Sequence, residues 1–493
     1  MKLNLPPHLL PTVALSTDQR RALIREAQAV LDDTLRAEAS LGRCIPAALY
    51  KRVRSKEQFH VYKQRQSLGR RRRLRRPEDS SSSSSDSAHV TSPSSATTTD
   101  EEEPSRKNSF LTDDDAQRSE LGTVDGDDLE GLVASLKPLH VPMLVASGTV
   151  EGTIEDSVYG SFVGDEMSWR TRAAYTKDRI AAAKLLATLQ RPTRSDPFRF
   201  LGVKWFTKEL PAWVGSFVQR RDFVVLEGTG LTTDADGRRI AYYLLHSVEL
   251  PSVPELRELG VIRSAVSVCF LSRQESSAVV RVFARGFSDP RGDLVERVAT
   301  ALTAESMIAA LNVSECAHIK KLTWLMTQRR RQRLERRRRR TQDTPDDHEQ
   351  DANASACESC GKAPSRFPLA WGSSLVGCQV CGRSVCSRCA VKKHVIVDIS
   401  GDSTVERALS FCLGCVVEAR SLSAWDVAAD TLVGHQADEI RHSEDARNIM
   451  SRCRPRARSK TKTVTPRVRC SQSRAQPRPP PSPTVFVFGV TLH

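Results

Sequence analysis

The chain lacks what would make it a membrane-spanning protein, a secreted disulfide-stapled domain or a member of the common motif-bearing enzyme classes. Among its 493 residues no run approaches the roughly 18 consecutive apolar positions of a spanning helix, so a soluble or peripherally attached protein is expected. Residues 1–16 contain Pro6, Pro7 and Pro11, which interrupt any continuous apolar export signal. Without such a signal, a disulfide framework of the kind found in short secreted chains is not expected for the cysteines. No GxSxG elbow, phosphate-binding loop or HExxH helix occurs, and the 11 histidines are scattered, so a non-enzymatic role is expected.

Positive charge is in excess, but it is unevenly placed. The net charge of +15 is matched by fifteen arginines in two short runs, six between Arg70 and Arg76 and nine between Arg329 and Arg340. The remainder is close to neutral, so no globular part needs to be a basic binding body. Neither run interleaves aromatic residues that could stack on bases, and nucleic acid is not an expected partner. Such runs can engage phosphates, anionic lipid surfaces or nuclear import receptors, or remain solvated arms. A third basic stretch, Arg452 to Arg478, is offset by acidic residues between Asp100 and Asp128.

The informative residue is cysteine. Of the 13 cysteines, eight form four CxxC pairs: Cys357 and Cys360, Cys378 and Cys381, Cys386 and Cys389, Cys412 and Cys415. Zinc takes four donors in a tetrahedron, and two thiolates separated by two residues reach one ion from a tight turn. Eight thiols complete two closed shells, which points to structural zinc, since catalytic zinc keeps a position open for water. A redox dithiol needs only one such pair. Between the second and third pairs lie only Gly382, Arg383, Ser384 and Val385, too few for an independent lobe on each side. An interleaved arrangement follows: Cys357, Cys360, Cys386 and Cys389 hold the first Zn2+, and Cys378, Cys381, Cys412 and Cys415 hold the second.

The run CESC, CQVCGRSVCSRC, CLGC resembles a FYVE-type zinc finger over about residues 352 to 420. The family's lipid-reading motif would place arginines and histidines before the third pair, where this chain has Gly382, Arg383, Ser384 and Val385. Its Trp-x-x-Asp has no counterpart in Asp351 to Ala356, and its Arg-Val is replaced by Ser410 and Phe411. The resemblance therefore implies the zinc scaffold but not the phosphatidylinositol 3-phosphate site. Arg383, Arg388, Lys392, Lys393 and His394 remain to attract anionic headgroups or to form a solvated face.

At about 150 residues per domain the length allows about three units, fewer if much of the chain is disordered. Ser16 to Gln19 form a capping-box pattern, and Leu23, Ala27, Val30, Leu31, Thr34 and Leu35 recur at helical spacing, which predicts a helix of roughly 20 residues. A strand or hairpin is expected within Leu49 to Gln64. From Ser67 to about Glu130 serine-rich and acidic text cannot bury enough apolar surface to order. Further along, Met143 to Ile154 reads as a strand entering a helix capped by Thr153. Strands are expected at Phe198 to Thr207, Arg221 to Gly228, Ile240 to Glu249, Val261 to Leu271 and Ala278 to Phe287. A long helix follows from Asp293 to beyond Trp324, and a helical stretch continues past Cys415.

This order, with Arg221, Asp222, Phe223 and Val224 near its centre, resembles the START-like lipid-transfer fold. The expected class is α+β: a helix-grip domain at 18–327, with a curved antiparallel sheet, a long C-terminal helix and a disordered insertion at about 67–137. An arginine-rich linker at 328–351, a two-zinc cross-brace module at 352–420 and a disordered basic tail at 450–493 follow. The resemblance implies an apolar tunnel for a lipid. Trp205, Phe206, Trp213, Phe217, Tyr242, Tyr243 and Phe270 are apolar enough to line it or to be ordinary core, so the lipid-contacting residues are left unassigned. His246 and Glu249 are expected in half-buried polar roles.

A lipid-binding, membrane-associated adaptor is the leading expectation, placed in the cytoplasm and peripherally on endosomal membranes, with a lipid or membrane surface and a protein as partners. Two alternatives stay open. One is a cross-brace ubiquitin ligase, although such fingers usually include a histidine ligand and His394 falls outside the pattern. The other is a nuclear regulator acting through the arginine runs.

Overall fold

The computed structural model describes residues 13–65, 131–164, 166–178, 180–208, 218–292, 294–343, 356–363, 375–400 and 403–431. Residues 67–130, the tail at 450–493, and Trp213 and Phe217 lie outside the described residues.

Helix α1 (Thr17–Leu41) starts where the sequence predicts: Ser16 accepts the Gln19 amide while the Gln19 side chain accepts the Ser16 amide. Hairpin strands β1 (Tyr50–Lys56) and β2 (Phe59–Gln64) follow. Beyond 130, the short helix α2 (Leu132–Leu136) occupies part of the expected insertion. It docks on α1, with the Val133 amide donating to Asp33 at 3.1 Å. Strand β3 (Leu144–Glu151) runs into α3 (Ile154–Ser161), whose cap is Thr153.

Helix α4 (Glu166–Thr176) and strand β4 (Ile180–Gln190) have no counterpart in the sequence expectations. Trp169, Arg172, Ala173 and Thr176 share the buried face of α4 at spacing i, i+3, i+4, i+7. Two of the four are polar, which hides the helical stripe. The β4 sequence IAAAKLLATLQ is rich in helix formers. It is an edge strand because β5 offers it a ladder, so tertiary pairing overrides propensity.

The remaining strands are β5 (Phe200–Lys208), β6 (Arg220–Thr233), β7 (Arg239–Ser247), β8 (Val261–Arg263), β9 (Ala265–Ser276) and β10 (Val279–Asp289). They form one sheet in the order β1-β2-β3-β10-β9-β7-β6-β5-β4, antiparallel throughout except for β8, which pairs parallel with β6. Lys51, Arg52, Arg54 and Lys56 keep the β1 edge exposed and charged, which blocks edge-to-edge association.

The sheet is covered on both faces, and the two-residue strand period assigns its side chains. On β9, Ser267 meets His246 at 2.8 Å, and Arg273 bonds Glu38 of α1. The alternate residues Val266, Val268 and Phe270 line a cavity on the other face. That face carries α5 (Glu296–Ala309), one 3-10 turn (Ala310–Asn312) and α6 (Val313–Asp343). The single long helix expected from Asp293 is therefore two helices joined by a tighter turn. The second carries the arginines from Arg329 onward, so the arginine-rich linker is helical as far as Asp343.

After α6 come the short strands β11 (Val376–Gly377) and β12 (Ser384–Val385), the hairpin β13 (Ala390–Ser400) and β14 (Ser403–Cys412), and helix α7 (Leu413–Ser421). Residues 424–431 form a last helical stretch. This part packs into the sheet domain. Ala424, Val427 and Ala428 belong to the sheet's buried core, and Trp425 meets Phe198 edge-on at 5.4 Å. Leu322, Leu325 and Met326 of α6 belong in turn to the core around Cys357, Cys378 and Phe411.

Candidate functional site

The two cysteine quartets are assembled from turns and strand ends. Cys357 and Cys378 each open a turn closed by a glycine: the Gly361 amide donates to Cys357 O at 2.7 Å and the Gly382 amide to Cys378 O at 2.8 Å. Both glycines have positive φ, 70° and 82°, a conformation that side chains resist. Cys412 ends β14 and caps α7, its Sγ accepting the Cys415 amide at 3.4 Å.

Cys357, Cys360, Cys386 and Cys389 come together in one cluster and Cys378, Cys381, Cys412 and Cys415 in the other, all Sγ atoms of a cluster lying within 4.8 Å of one another. The first and third pairs thus meet at one site and the second and fourth at the other. Cys360 and Cys386 are 3.9 Å apart and Cys381 and Cys412 3.8 Å, whereas a disulfide needs about 2.05 Å. A tetrahedron of sulfurs about 2.3 Å from a central zinc has edges of about 3.8 Å, so each quartet has the donors and spacing to hold a metal ion compatible with zinc.

Electrostatics agrees with that chemistry. Hydrogen bonds from backbone amides, first that of Cys386, lower the Cys357 thiol to about 6. Cys378 falls to about 7, its burial outweighed by amides that include those of Cys381 and Cys412. Crowding against Cys360 and Cys386 pushes Cys389 up to about 12. Thiolates this close repel, and a divalent cation at the centre removes the repulsion. The other described cysteines, Cys44, Cys269 and Cys316, belong to neither quartet.

Of the basic residues near the quartets, Lys393 bonds Glu315 at 2.7 Å and His394 lies 3.3 Å from Glu406. Arg383, Arg388 and Lys392 are exposed.

A second candidate site lies between the sheet and α5. It is a cavity of about 170 Å³ walled by Phe206, Phe223, Leu245, Val266, Val268, Phe270 and Phe287 from the strands, and by Leu294, Leu302, Met307, Ala310 and Val313 from the helical side. Phe206 and Phe223, paired across β5 and β6, stack at 4.9 Å. The Arg221–Val224 motif builds this corner. Arg221 donates to the Pro290 and Arg291 carbonyls, and buried Asp222 accepts Trp205 Nε1 at 2.8 Å and Arg263.

One wall is polar. Glu227, fully buried, receives Lys204 at 2.6 Å, Arg172 at 2.9 Å and the Tyr243 hydroxyl at 2.9 Å. Burial alone would raise its carboxyl; the two cations outweigh burial and hold it below the usual range. Arg172 and Tyr243 reach the cavity, as do Asp178 and Lys208, themselves paired at 3.0 Å.

Of the aromatics that the sequence offered, Phe206, Tyr243 and Phe270 line this cavity, and Tyr242 lines a smaller void of about 30 Å³ beside it. Trp205 faces away, toward Asp222. His246 is buried, 3.2 Å from Glu26, whereas Glu249 is exposed rather than half-buried. The sequence did not single out Arg172, Lys204, Glu227 or Asp178. Charges at strand and helix positions read as surface, and the only available signal was that Lys204 and Glu227 interrupt apolar strands.

No family model matches the chain, and no curated protein matches it. Among solved structures it is similar to human StAR-related lipid transfer protein 5, with 12% identity and a TM-score of 0.34 over 60% of this chain and 97% of that one. It is also similar to human STARD10, with 11% identity and a TM-score of 0.31 over 63% and 84%. A third is the human StarD13 (DLC2) lipid transfer and protein localization domain, with 14% identity and a TM-score of 0.29 over 62% and 98%. At TM-scores of this size the site's own chemistry carries the functional argument.

Proposed function

We propose that the protein is a non-enzymatic lipid-binding adaptor in which residues 18–327 hold the ligand and residues 352–420 form a FYVE-related module with two structural zinc ions. The observation that carries this reading is the cavity: a mainly apolar chamber whose lining includes only a few charged groups, Arg172, Asp178, Lys208 and Arg221, suits an amphipathic molecule. Its volume of about 170 Å³ is below the roughly 300–1,000 Å³ of pockets for drug-sized ligands, which favours a slender acyl chain over a fused ring system. The chain would lie against Phe206, Val268 and Phe270, with its polar end toward Arg172 and the Asp178–Lys208 pair. Membrane attraction would come from the arginines of α6 and from Arg383, Arg388 and Lys392, placing the protein at anionic, including endosomal, membranes.

Mass spectrometry of lipid extracted from the purified full-length protein tests the cavity, and a co-purified single-chain or acyl lipid is expected. Absence of any lipid, together with no binding of a fluorescent fatty acid, removes the reading. Flotation with anionic liposomes should weaken at high salt, whereas salt-independent flotation with neutral vesicles contradicts the charge-dependent part.

A further inference from the structure

The cavity and the second cysteine quartet are joined by a short path of buried polar contacts that local sequence does not announce. On α6, two consecutive lysines are almost fully buried, Lys320 at 6% exposure and Lys321 at 1%. Lysines are seldom buried without a compensating partner. Lys320 donates to the Tyr159 and Phe162 carbonyls at 2.9 and 3.1 Å, closing the C-terminal end of α3 in the sheet domain. Lys321 donates to the Arg420 and Leu422 carbonyls at 2.8 and 3.1 Å, closing the C-terminal end of α7 in the cysteine module, and pairs with Asp156 of α3 at 2.8 Å. Each ammonium meets a helix end whose orphan carbonyls carry partial negative charge.

From Lys321 the path leads both ways. Toward the quartet, α7 begins at Cys412, whose sulfur is at once a metal donor and the cap of that helix. Toward the cavity, α6 begins at Val313, a wall residue, and Gly160 of α3 sits so close that a Cβ there would lie 1.8 Å from the Val313 carbonyl oxygen. A second tie is independent of α6. The Ile396 amide of β13 donates to the Tyr175 hydroxyl at 3.0 Å, and the neighbouring α4 residues Arg172 and Thr176 line the cavity. The Val313 wall is thus tied through α6 to α7, which Cys412 caps, and the α4 wall to β13, which pairs with β14 as far as Cys412.

We propose that metal occupancy of the Cys378, Cys381, Cys412, Cys415 quartet and ligand occupancy of the cavity are thermodynamically linked, each raising the affinity of the other by the same factor. Loss of the metal frees Cys412 and the start of α7, so Lys321 loses its fixed acceptors and the Val313 and Arg172 walls loosen. A ligand that needs those walls in place binds the metal-loaded form more tightly. Couplings of this kind are typically about 5- to 150-fold.

The inference rests on the lipid reading of the cavity and the zinc reading of the quartets, and the test separates their failures. The full-length protein is titrated with a medium-chain fatty acid of about eight carbons as the probe, sized to the cavity, zinc-loaded and after stripping with a strong chelator under reducing conditions. The dissociation constant should weaken at least about fivefold on stripping, and zinc should be removed correspondingly less readily when the probe is saturating. Lys321→Met should keep both zinc ions by native mass spectrometry yet reduce the difference to less than about twofold. Hydrogen exchange supplies a readout that needs no probe: stripping should speed exchange in residues 166–176 and 313–321 as well as in 375–431. An unchanged dissociation constant, or faster exchange confined to 375–431, overturns the linkage. Should the probe fail to bind the zinc-loaded protein, the lipid reading fails and the exchange pattern alone decides the linkage. Should the native mass show no zinc, the metal reading fails and the linkage falls with it.

Discussion

In the sheet domain ten strands covered on both faces supply an apolar core, and the charged groups buried in it are paired, as Glu227 is by two cations and a hydroxyl. The cysteine module has instead two short strands, one hairpin and a helix, and its small buried cluster combines Cys357, Cys378, Cys412 and Cys415 with a few apolar residues such as Val380 and Phe411 and with Leu322, Leu325 and Met326 borrowed from α6. One region is held by area and tolerates small losses anywhere, because the cost of a lost methylene is local, about 0.8 kcal/mol. The other has two cysteine quartets that can each hold a metal ion, and on the proposed zinc reading loss of either ion removes the reason for its turns to exist. Folding energy in such metal modules is metal-binding energy, with apparent values of about 10–16 kcal/mol for zinc-finger peptides.

That contrast can be broken most severely at a donor sulfur. Cys412→Ala removes one metal ligand and the α7 cap together, and native mass spectrometry should find one zinc instead of two, with limited proteolysis opening residues 375–431. Retention of two zinc ions would show that the module does not depend on its second quartet.

The next largest effect belongs to the sheet domain. Glu227→Ala leaves Lys204 and Arg172 buried without their anion, and urea denaturation should show a loss of about 3–5 kcal/mol. The zinc count should stay at two. A loss under 1 kcal/mol would mean that the cations find other acceptors, of which Lys204 already has the Val163 carbonyl at 2.7 Å.

Gly160→Ala sharpens the comparison at the seam between α3 and α6. The added methyl has only a carbonyl oxygen to displace, so helices must separate, at a cost of about 1–3 kcal/mol in thermal or urea unfolding. The cavity should change shape as well, since Val313 moves with its carbonyl.

The smallest effect is a pH dependence. His318 lies 3.7 Å from both Asp156 and Glu315. Burial alone would lower its pKa; the neighbouring Asp156 and Glu315 carboxylates outweigh burial and raise it above the ordinary 6.5. A raised histidine contributes stability that is complete below its unfolded pKa and disappears as pH rises through the folded one. Unfolding midpoints should therefore decline slightly from pH 6 to pH 8, and His318→Gln should flatten that decline. Glu315, held down to about 2 first by His318 and also by Lys393 despite burial, stays charged throughout this window and adds no slope of its own.

How much of this was legible before folding depends on the range of the interaction. The capping box at Ser16, the Thr153 cap and the β1–β2 hairpin involve neighbours a few residues apart, and all three appear as expected. Strand β4 and helix α4 were not legible. An alanine- and leucine-rich segment acquires strand geometry only beside β5, and a helix whose inward face includes Arg172 and Thr176 shows no apolar stripe. The break at 310–312 carries no proline or glycine to announce it.

The sequence by itself limited how the cysteine pairs can combine, because a CxxC turn and a four-residue spacer restrict the reach of the sulfurs whatever surrounds them. It also determined the order of most strands, because alternation and turn residues are local. Only the tertiary structure decided that α6 serves two cores, that Lys320 and Lys321 close helices on opposite sides of it, and that Glu227 stands at the cavity wall. Those outcomes depend on which surfaces meet between distant parts of the chain: Lys320 reaches Tyr159 across 161 residues, and Arg172 and Tyr243 do not even share an element. A buried charge and an exposed one have the same letter; burial and partners, set by packing, make the difference.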